Sequence, residues 1–301
     1  MYMKNVLLVL LFLFTLPAMG MGRPPCEVYR ATTPVMIDGV LDEPCWKTAT
    51  PYRVDYEHGK LGVLSTQAMM IVKYAWDDQY LYIGYETFDS NLLAEGTGQM
   101  DGPAGNRREA CQIWTKSGVD CVEFFLSWGS ERYLWELHHN ASNNFSDVWC
   151  VVHPENDPIT RYAGWEYGIR LCRNEYLVDD PPATVAMAVR LKPKADGTPS
   201  TVNDPSDCDT GYTAEIRIPW LATGIAWDRA VLGPAVAKGG RPPRVPSRWN
   251  VEGAELWFLS VVQDSDAHNR YHHSGPRFAG GWFHRNASTW PRLVFCTNPK
   301  P

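Results

Sequence analysis

The stretch AMMIVKYAWDDQYLYIGYETF, residues 68–88, constrains this chain more than any other. Two runs rich in β-branched and aromatic residues flank Asp77-Asp78-Gln79, the pattern of two strands joined by a tight turn. Side chains of this kind suit a pleated surface, and no long run in the chain carries the period of an amphipathic helix. Shorter runs of the same style recur at Val35–Ile37, Glu166–Leu171, Thr184–Leu191, Tyr212–Ile218, Leu256–Val262 and Leu293–Cys296, parted by turn residues. Strands at that spacing predict an all-β chain folded as an antiparallel β-sandwich. The 24 Gly and 23 Pro residues suit its loops, with short helices expected near Glu43–Thr48 and after Pro219.

Three polar loops, 90–118, 193–209 and the Pro-rich 231–248, separate strands of one style on either side. One domain spanning 27–297 is therefore expected, with 231–248 outside the sheets. Ahead of it, MYMKNVLLVLLFLFTLPAMGMG has one lysine, a short apolar run, and small residues at Ala18 and Gly20. That is the form of a secretory signal over 1–20, cut near Gly20, and it predicts a secreted or periplasmic protein. The formal charge of -6, with no basic tract, argues against nucleic acid and anionic membrane as partners. Eight cysteines in an oxidising compartment predict at least one disulfide, and Cys26 with Cys296 would tie the chain ends together. No CxxC pair occurs, which speaks against a zinc site.

Residues 120–140, DCVEFFLSWGSERYLWELHHN, pose a sharper question, because glutamates stand among the aromatics of two apolar runs. If Ser127 pairs with Arg132, then Glu123 lies opposite Glu136. Val122, Phe124 and Leu126 then share an apolar face with Leu137, Trp135 and Tyr133. The other face holds Cys121, Glu123, Phe125, Glu136, His138 and Asn140. Like charges directly opposed cost stability unless a cation, a shared proton or a hydroxyl-rich ligand offsets them.

The order of local patterns along the chain carries a family resemblance. VMIDGVLDEPCWKTA (35–49) is followed by VKYAWDDQYLYIGYETFDS (72–90), DCVEFF (120–125), ELHHNASNNFSDVW (136–149), GYTAEIRIPW (211–220) and GWFHRNASTWPRLVF (281–295). This series resembles carbohydrate-binding module family 9, within the DOMON-like β-sandwiches. The resemblance implies a non-catalytic protein that holds an oligo- or polysaccharide, often at a chain end, between two tryptophans. Aromatic rings stack on the C–H patches of a pyranose, and a carboxylate takes strong hydrogen bonds from its hydroxyls. By position, Glu123 matches the strand glutamate of the family. Trp114 matches the first stacking residue, and Trp282, with Phe283 beside it, matches the second. His138 stands where the family carries a basic ligand-binding residue, ahead of Asn140. Its departure from arginine bears on sugar specificity. The resemblance also implies support for polysaccharide breakdown by separate secreted glycosidases, and allows structural calcium, with no ligands named. Trp46, Trp76 and Trp220 read as core, while Trp249 and Trp257 have no assigned place.

Two other readings compete. Glu123 and Glu136 as opposed carboxylates would suit a glycosidase. Met69 or Met70 with His138 or His139 would suit haem in a DOMON-type electron-transfer domain. His272-His273 with Asp264 and Asp266 reads as a solvated turn before it reads as a metal site.

Overall fold

The computed structural model describes residues 25–57, 63–65, 69–94, 120–127, 133–152, 167–172, 185–220, 252–265, 271–275 and 290–297. For 133–136, 146–152, 167–172 and 271–275 the description is of the backbone. In chain order the strands are β1 (Cys26–Arg30), β2 (Tyr52–Val54), β3 (Tyr56–Glu57), β4 (Met69–Trp76), β5 (Tyr80–Phe88), β6 (Cys121–Ser127) and β7 (Tyr133–His139). They continue as β8 (Phe145–Val152), β9 (Tyr167–Cys172), β10 (Ala186–Leu191), β11 (Tyr212–Pro219), β12 (Glu255–Ser265), β13 (Tyr271–Gly275) and β14 (Arg292–Cys296), with one helix, α1 (Pro44–Thr48), among the described residues.

The expected hairpin is β4 and β5, paired antiparallel from Met69–Phe88 to Trp76–Leu81. Asp77 builds its turn, since its carboxylate accepts from the backbone N–H of Gln79 and Tyr80 and from the Tyr82 hydroxyl, each at 2.7 Å. The sheet continues in the order β10-β11-β5-β4-β1-β14-β12-β6-β7-β8-β9, with β2 on β4 and β13 joining β12 to β3. Its pairs are antiparallel except that β1 runs parallel to β14 and to β4.

The sheet curls until its two halves face each other, which makes the expected sandwich. Alternate residues of β4, Met70, Val72, Tyr74 and Trp76, are buried with Leu81, Ile83 and Tyr85 of β5. They meet Val122, Phe124, Leu126, Leu256, Phe258 and Val262 from the other half. The Tyr74 and Ser260 hydroxyls are 2.8 Å apart across the gap. Phe258 meets the rings of Tyr52 and Tyr74 edge-on at 4.9 and 5.2 Å, and Tyr85 packs on Phe124 at 5.4 Å. Trp46, Trp76 and Trp220 are buried, as expected.

The two motifs IDGVLDEPCW and EIRIPW prove to be one device. Glu215 on β11 is fully buried and accepts from Trp46 Nε1 at 2.8 Å, Asp38 N at 2.9 Å and Gly39 N at 3.0 Å. Gly39 adopts φ 83°, and a Cβ there would lie 2.8 Å from the Val189 carbonyl carbon, so the loop needs glycine. Residues 31–49 thereby cover the outer side of β4, β5 and β11, with Trp46 and Leu41 over Gly84.

That cover corrects one expectation. Val35–Ile37 forms no strand; Val35 and Ile37 belong to the covering segment and pack in one cluster with Trp46 and Tyr82, while Met36 between them is exposed. Strands β1, β2, β3, β8 and β13 were not anticipated. A second correction concerns the chain ends. Cys26, Cys45, Cys121, Cys208 and Cys296 are all free thiols. Cys26 pairs with Leu293 and Cys296 with Tyr29, three residues further along. The two cysteines are thus about 10 Å apart along the strands and on opposite faces, beyond the ~7 Å Cα limit of a disulfide. The side chains of Cys111, Cys150 and Cys172, residues 1–20 with the expected signal, the 231–248 segment and Trp249 lie outside the described residues. Among those residues no helix is long and apolar enough to cross a membrane.

Candidate functional site

β6 is an interior strand, paired with β12 on one side and β7 on the other. Val122, Phe124 and Leu126 point into the main core, so Cys121, Glu123, Phe125 and Ser127 occupy the other face. The expected segregation of side chains holds; the expected pairing does not. Glu123 lies opposite His138, and Phe125 lies opposite Glu136. A slip of two residues preserves parity, so every residue keeps its face while its partner changes. It also sets a carboxylate against an imidazole, where the expected register set two carboxylates together. An opposed Glu123–Glu136 pair, the basis of the glycosidase reading, is therefore not formed.

The Glu123 face is not solvated. Glu123 is 6% exposed and His138 is fully buried, with Phe125, Leu259 and Val261 buried around them. Trp290 packs on Phe125 at 5.9 Å between ring centroids. Asn140 follows β7 and is also buried; its Oδ1 accepts from Ser142 N at 3.1 Å and Asn144 N at 3.0 Å, which commits that oxygen to the turn into β8. Glu123, His138 and Asn140 thus come together at one end of the β6–β7 ladder. Trp114, Trp282 and Phe283 lie outside the described residues.

His139, next along β7, faces the main core. Its Nε2–H donates to Asn143 Oδ1 at 2.9 Å, so its Nδ1 accepts from the Tyr85 hydroxyl at 2.7 Å. Burial pushes its pKa down to about 4. Both nitrogens being engaged, and Met70 lying in the core, neither residue is poised as an axial haem ligand.

At the start of β6, on the side of the sheet opposite Glu123, the fold gathers three carboxylates that are far apart in the sequence. Asp89 follows β5, Asp120 precedes β6, and Asp264 lies on β12; their oxygens lie within 4.8 Å of one another. Asp120 is held there by Leu93 N at 2.6 Å and Ser265 N at 2.7 Å. Burial first, and then the Asp89 carboxylate, raise its pKa well above the usual carboxylate range; burial and Asp264 raise that of Asp89. The donor set is all oxygen, as a hard cation requires, and the buried hydroxyl of the adjacent Ser265 has no protein partner. The sequence groups Asp264 with His272, His273 and Asp266 as a turn. Asp264 and both histidines are instead on the paired strands β12 and β13. Asp266 lies outside the described residues. The usable signal is an aspartate at one end of each of three apolar runs, but only the strand order shows that these ends are adjacent.

No protein-family model matches this chain, and no curated protein does. Solved structures similar to it include a carbohydrate-binding module family 9 protein from Caldicellulosiruptor kristjanssonii in complex with glucose. The match covers 91% of this chain and 98% of that one, at 15% identity and a TM-score of 0.47. A structure of a family 9 module from the same organism with cellotriose matches over 91% and 95%, at 15% identity and 0.46. A candidate carbohydrate-binding protein from Bacteroides uniformis matches over 89% and 97%, at 11% identity and 0.50. At these identities the likeness is one of fold. The resemblance read along the sequence recurs among solved structures of similar architecture.

Proposed function

We propose that this chain is an exported, non-catalytic carbohydrate-binding protein in which Glu123 hydrogen-bonds sugar hydroxyls. One observation carries the reading: a carboxylate and an imidazole, Glu123 and His138, are paired on the sheet face turned away from the main core, at 6% exposure and none. A carboxylate accepts from sugar hydroxyls, and an imidazole beside it can donate to or accept from them. The order of motifs along the chain supports Trp114 and Trp282 as the stacking walls, with Phe283 beside the second. It supports the role of a helper to separate polysaccharide-degrading enzymes, and the N-terminal residues support export. The glucose and cellotriose bound by the family 9 neighbours make these sugars the first probes.

The test is a glycan array on the mature protein, followed by calorimetry on Trp114→Ala, Glu123→Gln and Trp282→Ala. Removing hydrogen bonds to a charged group costs about 1.5–3 kcal/mol, so Glu123→Gln should weaken binding about tenfold to a hundredfold. Each lost ring should cost about 1 kcal/mol or more. Wild-type affinity in all three folded variants would refute the site.

The same reading includes a hard divalent cation, such as calcium, held by Asp89, Asp120 and Asp264. Its charge would offset the repulsion among carboxylates that face one another within 4.8 Å. It would act on structure, tying the end of β5, the start of β6 and the end of β12 together.

A further inference from the structure

His139 follows His138 on β7, yet it serves the other side of the sheet, where it ties a surface turn to the opposite half of the sandwich. Residues 140–144 join β7 to β8, and Ser142, Asn143 and Asn144 are half-buried there. Asn140 organises this turn. Besides the two bonds to its Oδ1, its N–H donates to the Asn144 carbonyl at 3.2 Å, and its carbonyl accepts from Asn143 N at 2.9 Å. Asn143 takes a left-handed φ of 55°, which asparagine tolerates. Its Oδ1 accepts from His139 Nε2–H, while His139 Nδ1 accepts from Tyr85 on β5. One buried imidazole thus spans the turn and the far half of the sandwich.

The bridge needs a neutral ring. A proton on Nδ1 would set a donor against the Tyr85 hydroxyl. The new charge would also meet no counter-ion. β8 presents Phe145 edge-on at 6.3 Å, and β6 presents Val122, both fully buried. The titratable groups on this side are the Tyr85 phenol and the Tyr212 phenol of β11 that meets it, with the Cys121 thiol of β6 near enough to act on both. Asp89 and Asp120 act on Tyr212 but not on the imidazole. A buried charge without a partner is costly, and opening a surface turn is a cheaper escape than unfolding the core. We infer that residues 140–144 are a latch opened by acid: protonated His139 gives up Tyr85 and Asn143, the end of β7 leaves the sheet with His138 and Asn140, and a bound saccharide departs through the open form. The departure rests on the proposed role of Glu123; the opening does not. Closed, His139 stays neutral down to about 4, whereas a histidine in water titrates near ~6.5. Opening should therefore become about tenfold more frequent for each pH unit lost between those values.

The experiment is amide hydrogen exchange on the mature protein, corrected for intrinsic rates, with saccharide dissociation rates measured at the same pH values. Between pH 7 and pH 4.5, protection over 140–145 should fall about fiftyfold in wild type, while β4 and β5 keep theirs. His139→Gln carries a donor and an acceptor and does not titrate in this range, so its turn should stay protected. Protonation of Glu123 speeds dissociation of glucose or cellotriose in both proteins, and wild type should show an excess of up to about fiftyfold. Equal exchange profiles in the two proteins would overturn the latch. So would loss of protection in β4 and β5 at the same pH, a reading that needs wild type alone and decides the matter if His139→Gln does not fold. Opening confined to wild type with parallel dissociation rates would remove the departure and leave the Glu123 reading standing. If no saccharide binds at pH 7, the Glu123 reading and the departure fall together, and exchange alone decides the opening.

Discussion

Glu215 is where a single substitution should damage the fold most instructively. Its carboxylate satisfies three N–H groups, two from the Asp38-Gly39 backbone and one from the fully buried Trp46 indole. In Glu215→Ala all three donors lose their partner, at about 1–3 kcal/mol for each buried one, and the side-chain stem leaves a space beside Trp46. The two backbone donors can recover part of the loss from water, so we expect about 3–5 kcal/mol in total. Glu215→Gln keeps the shape but presents one oxygen and one NH2. It must therefore set a donor against Trp46 or against the loop, at about 2 kcal/mol. Trp46→Phe removes the indole donor alone. The double mutant Glu215→Gln with Trp46→Phe should cost less than the sum of the singles by about 1–2 kcal/mol. Urea unfolding at constant m-value is the assay. Burial raises the Glu215 pKa against the three donors that oppose it, so the native state keeps a proton that the unfolded chain has released. Stability should then fall as pH rises from the usual carboxylate range through that raised value, a slope that Glu215→Gln lacks. A loss under about 1 kcal/mol in Glu215→Ala would refute the idea that this residue locks the 31–49 segment onto the sheet.

Calcium in excess of its dissociation constant should raise the melting temperature by about 5 °C, and the gain should grow between pH 5 and pH 9, because protons on Asp89 and Asp120 compete with the ion. An unchanged melting temperature across that range would remove the cation. His139 stays neutral in the native state down to about 4, so stability should decline as pH falls from ~6.5 toward that value; urea midpoints of wild type and His139→Phe across that range check it. Gly211 has φ 102°, and a Cβ there would lie 2.2 Å from the Thr87 carbonyl oxygen, so Gly211→Ala should destabilise by more than about 2 kcal/mol in the same assay. Among the five described cysteines, exposed Cys208 should be alkylated first in the native protein, with Cys26 and Cys45 slow because burial raises their pKa to about 12; mass spectrometry of labelled peptides reads this directly.

Alternation and turn chemistry are local, and what they governed was legible. The β4–β5 hairpin, the strands β9 to β12 and β14, and α1 all follow from residues that are neighbours in the chain. So do the face on which Glu123 sits and the burial of Trp46, Trp76 and Trp220. Pairing partners are not local. The two-residue slip that puts His138, not Glu136, opposite Glu123 leaves every side chain on its own face, so no hydrophobic pattern could reveal it. Val35–Ile37 is as β-branched as a strand, and only the lock of Glu215 on Asp38 and Gly39 makes it a cover. Cys26 and Cys296 stand at the two chain ends and on paired strands, yet parallel register holds them three residues apart. Asp89, Asp120 and Asp264 are separated by 31 and then 144 positions in the sequence, and became one cluster when β5, β6 and β12 were brought together. Periodicity is a property of one strand and can be read from it; register, curl and the meeting of strand ends are set by contacts between strands, and only the folded sheet contains them.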